Sequence, residues 1–397
     1  MAKPKTSSTR SASRPRATPR ITAGSVRRFT HDLFDETEHV KRVDSLAMAA
    51  LGVIHAASLV IHVIGRGLAA AAGLEPKHAT KQVDRLLSNK GVEIARLFGP
   101  WVRFIVGERK QIVAILDWTD FDKDNHSTIC LYLATRHGRA TPLVWKSVSK
   151  LDLEGKRNGY EDEVIDLLHG ILPEGVGVTL LADRGFGDQM RYLHLMALGW
   201  DYVIRFRECI RVTFDGKTSP ASEWLASTGR ARMLREVAVT EDKTEIPAVV
   251  LTHDKRMKEA WCLATSRSDL TATQVTKLYG RRFTIEETFR DTKDIHFGMG
   301  LSATHIKSAD RRDRILMLAA IAYAMLVLLG AASEHCGFDR TLKVNTTAKR
   351  TLSLYNQGKY WYDAIPNMDR EKRKVLLAAY ETMLREHDLA TSVFAVL

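Results

Sequence analysis

Residues 111–117, QIVAILD, and residues 176–183, VGVTLLAD, are two short apolar runs that each end in an aspartate. Runs of this length and composition are typical of strands buried on both faces of a sheet. Asp117 and Asp183 should therefore lie at the carboxyl ends of their strands, where α/β sheets commonly carry functional sites. Each could instead begin a turn or cap a helix, as aspartate often does. Asp120, Asp122 and Asp188 are nearby rivals, but they lie beyond the apolar runs.

The segments between and after these runs predict how the sheet is built. Residues 127–133 (STICLYL) and 141–148 (TPLVWKSV) follow the first run at hairpin-like spacings. A helical pattern over residues 160–172 leads to the second run, and a helix over 188–198 precedes a strand at 202–206. Three strands in a meander followed by alternating helix and strand predict an α/β fold with a mixed sheet.

Residues 208–265 have a different sequence pattern. Short β-like pieces (CIRVTF, REVAVT, AVVLT and WCLAT) alternate with turns rich in Gly, Lys and Asp. This pattern predicts a small β-rich insertion. Helical periodicity returns from about residue 273 to residue 293, and the chain stays largely helical to its C-terminus.

Two long apolar runs could be read as membrane spans. Residues 45–65 contain no charged side chain, and residues 315–333 are more apolar still. Length alone is compatible with a transmembrane helix, which would make this an inner-membrane protein. The alternative is a pair of helices buried in a large core. His55, His62 and several small residues in the first run favour burial.

The formal net charge is +12, and much of it lies at the N-terminus. Residues 1–28 hold eight Lys/Arg and no Asp or Glu, which leaves +4 for the remainder. This composition predicts a disordered basic arm and suggests a polyanionic partner. An organellar transit peptide is an alternative, but the arm lacks an apolar stripe. The four cysteines are far apart, which argues against a disulfide scaffold or a zinc ribbon and suits a reducing cytoplasm.

Residues 75–104 predict short helices with a basic side. Lys81 and Arg85 belong to this side, with Lys77, Lys90 and Arg96. Such a face could lie against DNA phosphates or could simply be solvated, and these residues leave both interpretations open.

Residues 279–293, YGRRFTIEETFRDTK, form the most specific pattern in the chain. At about 100° per residue, the side chains of one helical face fall within an arc of roughly 80°. These residues are Tyr279, Arg282, Glu286, Arg290 and Lys293. One carboxylate among three cations and a phenol favours an anion-facing site over a salt-bridged surface. Glu287 is the rival acid, about 100° away on the helix.

This order of strand with Asp117, strand with Asp183, and helix with Tyr279-x2-Arg282-x3-Glu286-x6-Lys293 resembles the DDE transposases of bacterial insertion sequences. It is similar to the cut-and-paste family that carries the YREK signature. HATKQVDRLLSN (78–89), LDWTDFD (116–122) and WCLATS (261–266) also resemble that family. The resemblance runs from about residue 30 to the mid-350s. Arg184, directly after the second aspartate, departs from many relatives.

The resemblance implies an RNase H-like core in which Asp117, Asp183 and Glu286 are the catalytic, metal-binding triad. Two Mg²⁺ ions would be the cofactors, with Mn²⁺ able to substitute. Tyr279, Arg282, Lys293 and, on the same face, Arg290 would contact DNA phosphates. Trp261 would stack on a flipped base at a hairpin step, or could be an ordinary core residue of a strand.

The implied layout has six parts. They are a disordered basic arm (1–28), a helical DNA-binding domain (29–108), the first part of the core (109–207), the β-rich insertion (208–265), the second part of the core with the YREK helix (266–335) and a helical C-terminal region (336–397).

The expected function is that of an insertion-sequence transposase. It would bind terminal inverted repeats in double-stranded DNA, cleave them and join the ends to target DNA, through a hairpin end. A dimer in the synaptic complex, no membrane partner and a cytoplasmic, nucleoid-associated location follow from that reading. The alternatives are a metal-dependent RNase H-like nuclease or resolvase and a catalytically inactive DNA-binding relative.

Overall fold

The computed structural model describes residues 21–296, 298–347, 349–386, 390 and 392–394. Most of the predicted basic arm, residues 1–20, lies outside the described residues. The rest of the arm was assigned wrongly, because helix α1 (Ala23–Phe34) begins there. The Thr22 side chain caps this helix by accepting from the Ser25 N–H, and Val26 and Phe29 are buried. Capping and an apolar face therefore order a segment that its basic composition made look disordered.

The first apolar run is divided between two helices rather than forming one. The N-terminal region continues with α2 (Val40–Ala56), α3 (Ile61–Ala72), α4 (Pro76–Ser88) and α5 (Ile94–Val106). Helices α2 and α3 meet at an angle of 96°. Ala57, at the end of α2, takes a left-handed conformation with φ 45°, which turns the chain there.

The sheet contains ten strands in the described residues. Its first half is mixed, as predicted, and its strands lie in the order β3-β2-β1-β4-β5. The strands are β1 (Gln111–Phe121), β2 (His126–Leu133), β3 (Thr141–Ser149), β4 (Gly177–Ala182) and β5 (Asp201–Phe206). Strands β1, β2 and β3 pair antiparallel, whereas β1, β4 and β5 run parallel. Helices α6 (Arg157–Ile171) and α7 (Gln189–Ala197) provide the crossovers.

The β-rich stretch extends this sheet. Its strands are β6 (Arg211–Phe214), β7 (Lys217–Pro220), β8 (Arg232–Val239), β9 (Thr244–Thr252) and β10 (Trp261–Thr265). Strand β10 pairs antiparallel with β5, and the order continues β10-β9-β8-β6-β7. The backbone hydrogen bonds of β5 therefore join the two halves directly.

The helical remainder departs from the sequence expectation at one important point. The predicted continuous helix ending at residue 293 is two helices, α8 (Ala272–Gly280) and α9 (Phe283–Lys293), separated at Arg281 and Arg282. The chain continues with α10 (Ala309–His335), α11 (Leu354–Ala364) and α12 (Arg370–Arg385).

Helix α10 holds the second apolar run. By length and composition it could cross a membrane, and the bent pair α2–α3 passes the same test when taken together. However, 94% of the most apolar window of α10 is buried inside the protein. It packs so closely on α11 that a Cβ on Gly330 would lie 2.0 Å from the carbonyl oxygen of Leu354. Burial on this scale is what the core-helix alternative predicts.

Candidate active site

The sheet register brings the two aspartates together. The parallel pairing of β1 with β4 ends at Leu116 and Ala182, so Asp117 and Asp183 directly follow the last paired residues of the two strands. The sequence suggested that Asp117 ends its strand, and this was wrong. Strand β1 continues to Phe121, paired with β2. What ends at Asp117 is the parallel pairing, and this leaves its side chain at the carboxyl edge of β4.

Arg282 connects Asp117 to the third acid. Its guanidinium donates to Asp117 Oδ2 at 3.1 Å and to Glu286 Oε1 at 2.6 Å. Arg282 is buried, and it precedes the first residue of α9, so the break between α8 and α9 lies at this residue. A guanidinium can bridge two carboxylates because its N–H groups form a planar fork.

The charge of Asp117 is influenced by the other two acids as well as by Arg282. Burial raises the pKa of Asp117 to about 7, Arg282 opposes the rise, and Asp183 and Glu286 add to it. Two carboxylates raise the pKa of a third only at short range. Near neutral pH, a proton and any second cation would therefore compete for Asp117.

Lys293 and Arg290 lie in different surroundings, although both were predicted on the same helical face. The Lys293 ammonium donates to the carbonyl of Asp120 at 2.7 Å and to Thr119 Oγ1 at 3.2 Å, which places it beside the end of β1. Burial lowers the pKa of Lys293. Arg290 is exposed and pairs with Glu287, the rival acid.

Tyr279 and Trp261 form an aromatic wall next to Arg282. Tyr279 is buried, and its ring meets that of Trp261 edge-on with centroids 4.9 Å apart. Burial raises the pKa of Tyr279, and the charge of Arg282 opposes this. Phe283 extends the wall outward, since it is 42% exposed and carries Arg282 4.9 Å above its ring. The sequence analysis passed over Phe283, although an aromatic residue beside the signature arginine was a usable signal.

The other predicted residues are two cations on the surface of α4 and three aspartates that bond to partners outside this site. Lys81 and Arg85 are exposed on α4. Asp122 pairs with Lys150 at 2.6 Å, and Asp188 caps α7 by accepting from the Met190 N–H at 2.9 Å. Asp120 accepts from the Ser127 hydroxyl.

The sequence analysis also missed a cluster next to Asp183. Glu259, on the loop before β10, accepts from Arg184 at 3.2 Å and from Arg205 at 2.7 Å. This holds the loop near the residue that follows Asp183. A cation inside the apolar strand pattern YVIRF was the signal that could have identified Arg205.

A comparison with known families agrees with this geometry. Residues 147–325 match the family model of the transposase DDE domain. The match supports a DDE transposase: a transposase function, nucleotidyl transfer as the chemistry and DNA as the partner. It includes Asp183 and the α8–α9 region with Glu286, whereas Asp117 precedes it. No curated protein matches the chain.

A DDE domain implies divalent metal ions, and the acids fit that requirement in their chemistry. Carboxylate oxygens are the ligands that Mg²⁺ prefers. Within the part of the chain that the structure describes, no three acidic, His or Cys side chains are arranged as a metal-binding group. Arg282 bonds one oxygen of Asp117 and one of Glu286.

Proposed function

We propose that this protein is the transposase of a bacterial insertion sequence, which cleaves its terminal inverted repeats and joins the freed ends to target DNA. The observation that carries the proposal is that one buried arginine, Arg282, bonds both Asp117 and Glu286, while Asp183 follows the strand next to that of Asp117. The DDE-domain match covers two of the three acids.

Asp117, Asp183 and Glu286 are the residues that would hold the ions. When bound, two Mg²⁺ ions, or Mn²⁺ in their place, would activate the attacking oxygen and stabilise the leaving one during displacement at phosphorus. Asp117 must lose its proton for this role, and its raised pKa means that the ion competes with a proton below about pH 7.

The cations around the acids would hold the DNA backbone. A DNA phosphate would be a third acceptor for Arg282, besides Asp117 and Glu286, because a guanidinium binds phosphate with the same fork that it offers to carboxylates. Lys293 would contact the phosphates from beside β1, and Arg290 from the exposed face of α9. Tyr279 is buried behind Arg282, so we assign it to orienting that arginine as well as to the DNA end.

The aromatic wall would serve the hairpin step. In this step the freed 3′-OH attacks the opposite strand, the leaving oxygen departs with the flanking DNA, and water later reopens the hairpin. Trp261 would stack on the base that must leave the helix, as the sequence resemblance implies.

The wider arrangement follows from the same proposal. The helical region 29–108 would bind the repeat through Lys81 and Arg85 on α4, and two protomers would pair the two ends in a synaptic complex. Neutralising several phosphates should give a log–log salt slope of about −0.9 per contact. The protein would act in the cytoplasm, at the nucleoid.

The proposal is tested by Glu286→Gln, with Glu287→Gln as the matched control on the same helix. We expect Glu286→Gln to abolish cleavage of a labelled duplex that covers the DNA flanking the gene, while binding of that duplex is retained. Loss of binding in Glu286→Gln, or equal loss of cleavage in Glu287→Gln, would contradict the assigned role.

A second assay separates transposition from simple nuclease activity. A duplex with a pre-cut 3′-OH end is incubated with a supercoiled target plasmid and divalent ion. Joined products are expected from a transposase, whereas a nuclease or resolvase would cut the DNA without joining it.

A further inference from the structure

The face of α9 that points away from Glu286 is tied to the loop between β2 and β3. At about 100° per residue, Thr288 and Asp291 lie roughly 140–160° around the helix from Glu286. Both are buried, at 2% and 5% exposure. The loop that covers them spans residues 134–140, and we call it the β2–β3 loop.

Thr288 makes a reciprocal contact with one residue of this loop. The Ala140 N–H donates to Thr288 Oγ1 at 2.9 Å, and the Thr288 hydroxyl lies 3.0 Å from the Ala140 carbonyl. The same hydroxyl lies 3.0 Å from the carbonyl of Thr284 in its own helix. Because both main-chain groups of a single loop residue meet one side chain, a slide of α9 along its axis would break both contacts.

A buried ion pair fixes the next turn of the helix. Arg139 Nε donates to Asp291 Oδ2 at 2.5 Å, and its side chain also reaches the carbonyl of Gly138 at 2.8 Å. The two side chains are 13% and 7% exposed. Removing one member of a buried pair leaves an uncompensated charge, so α9 cannot rotate away from the loop at low cost.

We propose that Thr288 and the Arg139–Asp291 pair are positioning residues, which set the rotation and register of α9 so that Glu286 and Arg282 meet the two aspartates. The β2–β3 loop provides the fixed point because it leads out of β2, the strand that pairs with β1 along Asp117. The inference rests on the proposed function for its catalytic consequence. A displacement of about 1 Å at a reacting centre can lower a rate by a factor of about 100.

Thr288→Val tests this most cleanly, because it removes the hydroxyl and keeps the shape. Thr292→Val is the control, since the Thr292 hydroxyl donates to the Thr288 carbonyl within the helix. Thr288→Ser is the rescue, because it keeps the hydroxyl. Three quantities are measured on the full chain: the rate of cleavage, the Mn²⁺ concentration at half-maximal rise in Tm, and the affinity for the flanking-DNA duplex.

For Thr288→Val we expect a loss of cleavage and a rise in the half-maximal Mn²⁺ concentration, each by about 10–100-fold, as for other groups that orient metal ligands. Binding of the duplex should change less than about twofold. Thr292→Val and Thr288→Ser should remain close to wild type. A purely structural role would lower Tm and duplex binding together and would not separate the three quantities.

Unchanged Mn²⁺ dependence and cleavage in a folded Thr288→Val variant would overturn the inference, and so would equal losses in Thr292→Val. If Thr288→Val does not fold, Asp291→Asn is measured in the same way and judged by the same criteria. A wild-type protein that binds Mn²⁺ but does not cleave would refute the proposed function alone, because the Mn²⁺ comparison between variants still decides the positioning role. A wild type with neither property would overturn both.

Discussion

Asp117→Asn in metal-free buffer should make this protein more stable above neutral pH. Burial and the neighbouring acids raise the pKa of Asp117 from its usual 3.8 to about 7. The folded state therefore holds this proton more tightly than the unfolded state does. As the pH rises from about 4 to about 7, the wild type loses stability, whereas an asparagine has no proton to lose.

The size of the effect follows from the shift. Each pKa unit corresponds to about 1.4 kcal/mol, so a shift of about 3 units gives an upper limit of about 4 kcal/mol at pH 8. At pH 5, which is about one unit above the usual pKa, the wild type has lost only about one third of this stability. The difference in the free energy of unfolding between variant and wild type should therefore widen by about 2–3 kcal/mol from pH 5 to pH 8.

Urea denaturation of both proteins in EDTA, at several pH values between 5 and 8, measures this difference directly. Contributions from other titrating groups cancel in the comparison where those groups are independent of Asp117. Two stability curves that run parallel across this range would refute the reasoning, because the pKa of Asp117 would then not be raised by burial and the neighbouring acids. Adding Mg²⁺ should reduce the difference in the free energy of unfolding between variant and wild type. An ion bound to the folded wild type stabilises it.

Two further predictions concern other parts of the chain. Gly358→Ala should destabilise the protein by about 3 kcal/mol or more in thermal denaturation, because the new Cβ would lie 1.8 Å from the carbonyl oxygen of Leu326 on α10. Gly170→Ala on α6, where a Cβ meets open space, should be neutral or slightly stabilising. Deleting residues 1–20, which hold six Lys/Arg, should weaken binding to all duplexes similarly and reduce the salt slope in anisotropy titrations. A selective loss on terminal repeats would show that the segment reads sequence.

Local pattern was a good guide wherever burial repeats regularly along the chain. The apolar runs at 111–117, 127–133 and 176–183 predicted β1, β2 and β4, and the alternation with helices predicted the mixed α/β sheet. The spacing from Tyr279 to Lys293 singled out Arg282, which bonds Asp117, and Glu286, which bonds Arg282. These features depend on periodicity, which belongs to the sequence itself.

Local pattern failed where a distant contact decides the outcome. The segment after Gly280 has good helical periodicity, yet the helix is interrupted there. Arg282, at the interruption, donates to Asp117 on a strand more than 160 residues earlier. Strand β7 was missed because residues 217–220, KTSP, are polar and contain a proline, and it forms by pairing with β6 at the end of the sheet. Residues 21–28 were misjudged because their charge hid a capped helix.

By itself, the sequence determined most of the helices and strands and carried the resemblance, from which the phosphoryl-transfer residues are predicted. Only the tertiary structure decided that Asp117 and Asp183 follow the last paired residues of two adjacent parallel strands. It also placed Arg282 between two acids and tied the far side of α9 to Ala140 through Thr288. The physical reason is that periodicity is set by neighbours along the chain, whereas register and helix rotation are set by hydrogen bonds and packing between segments far apart in sequence.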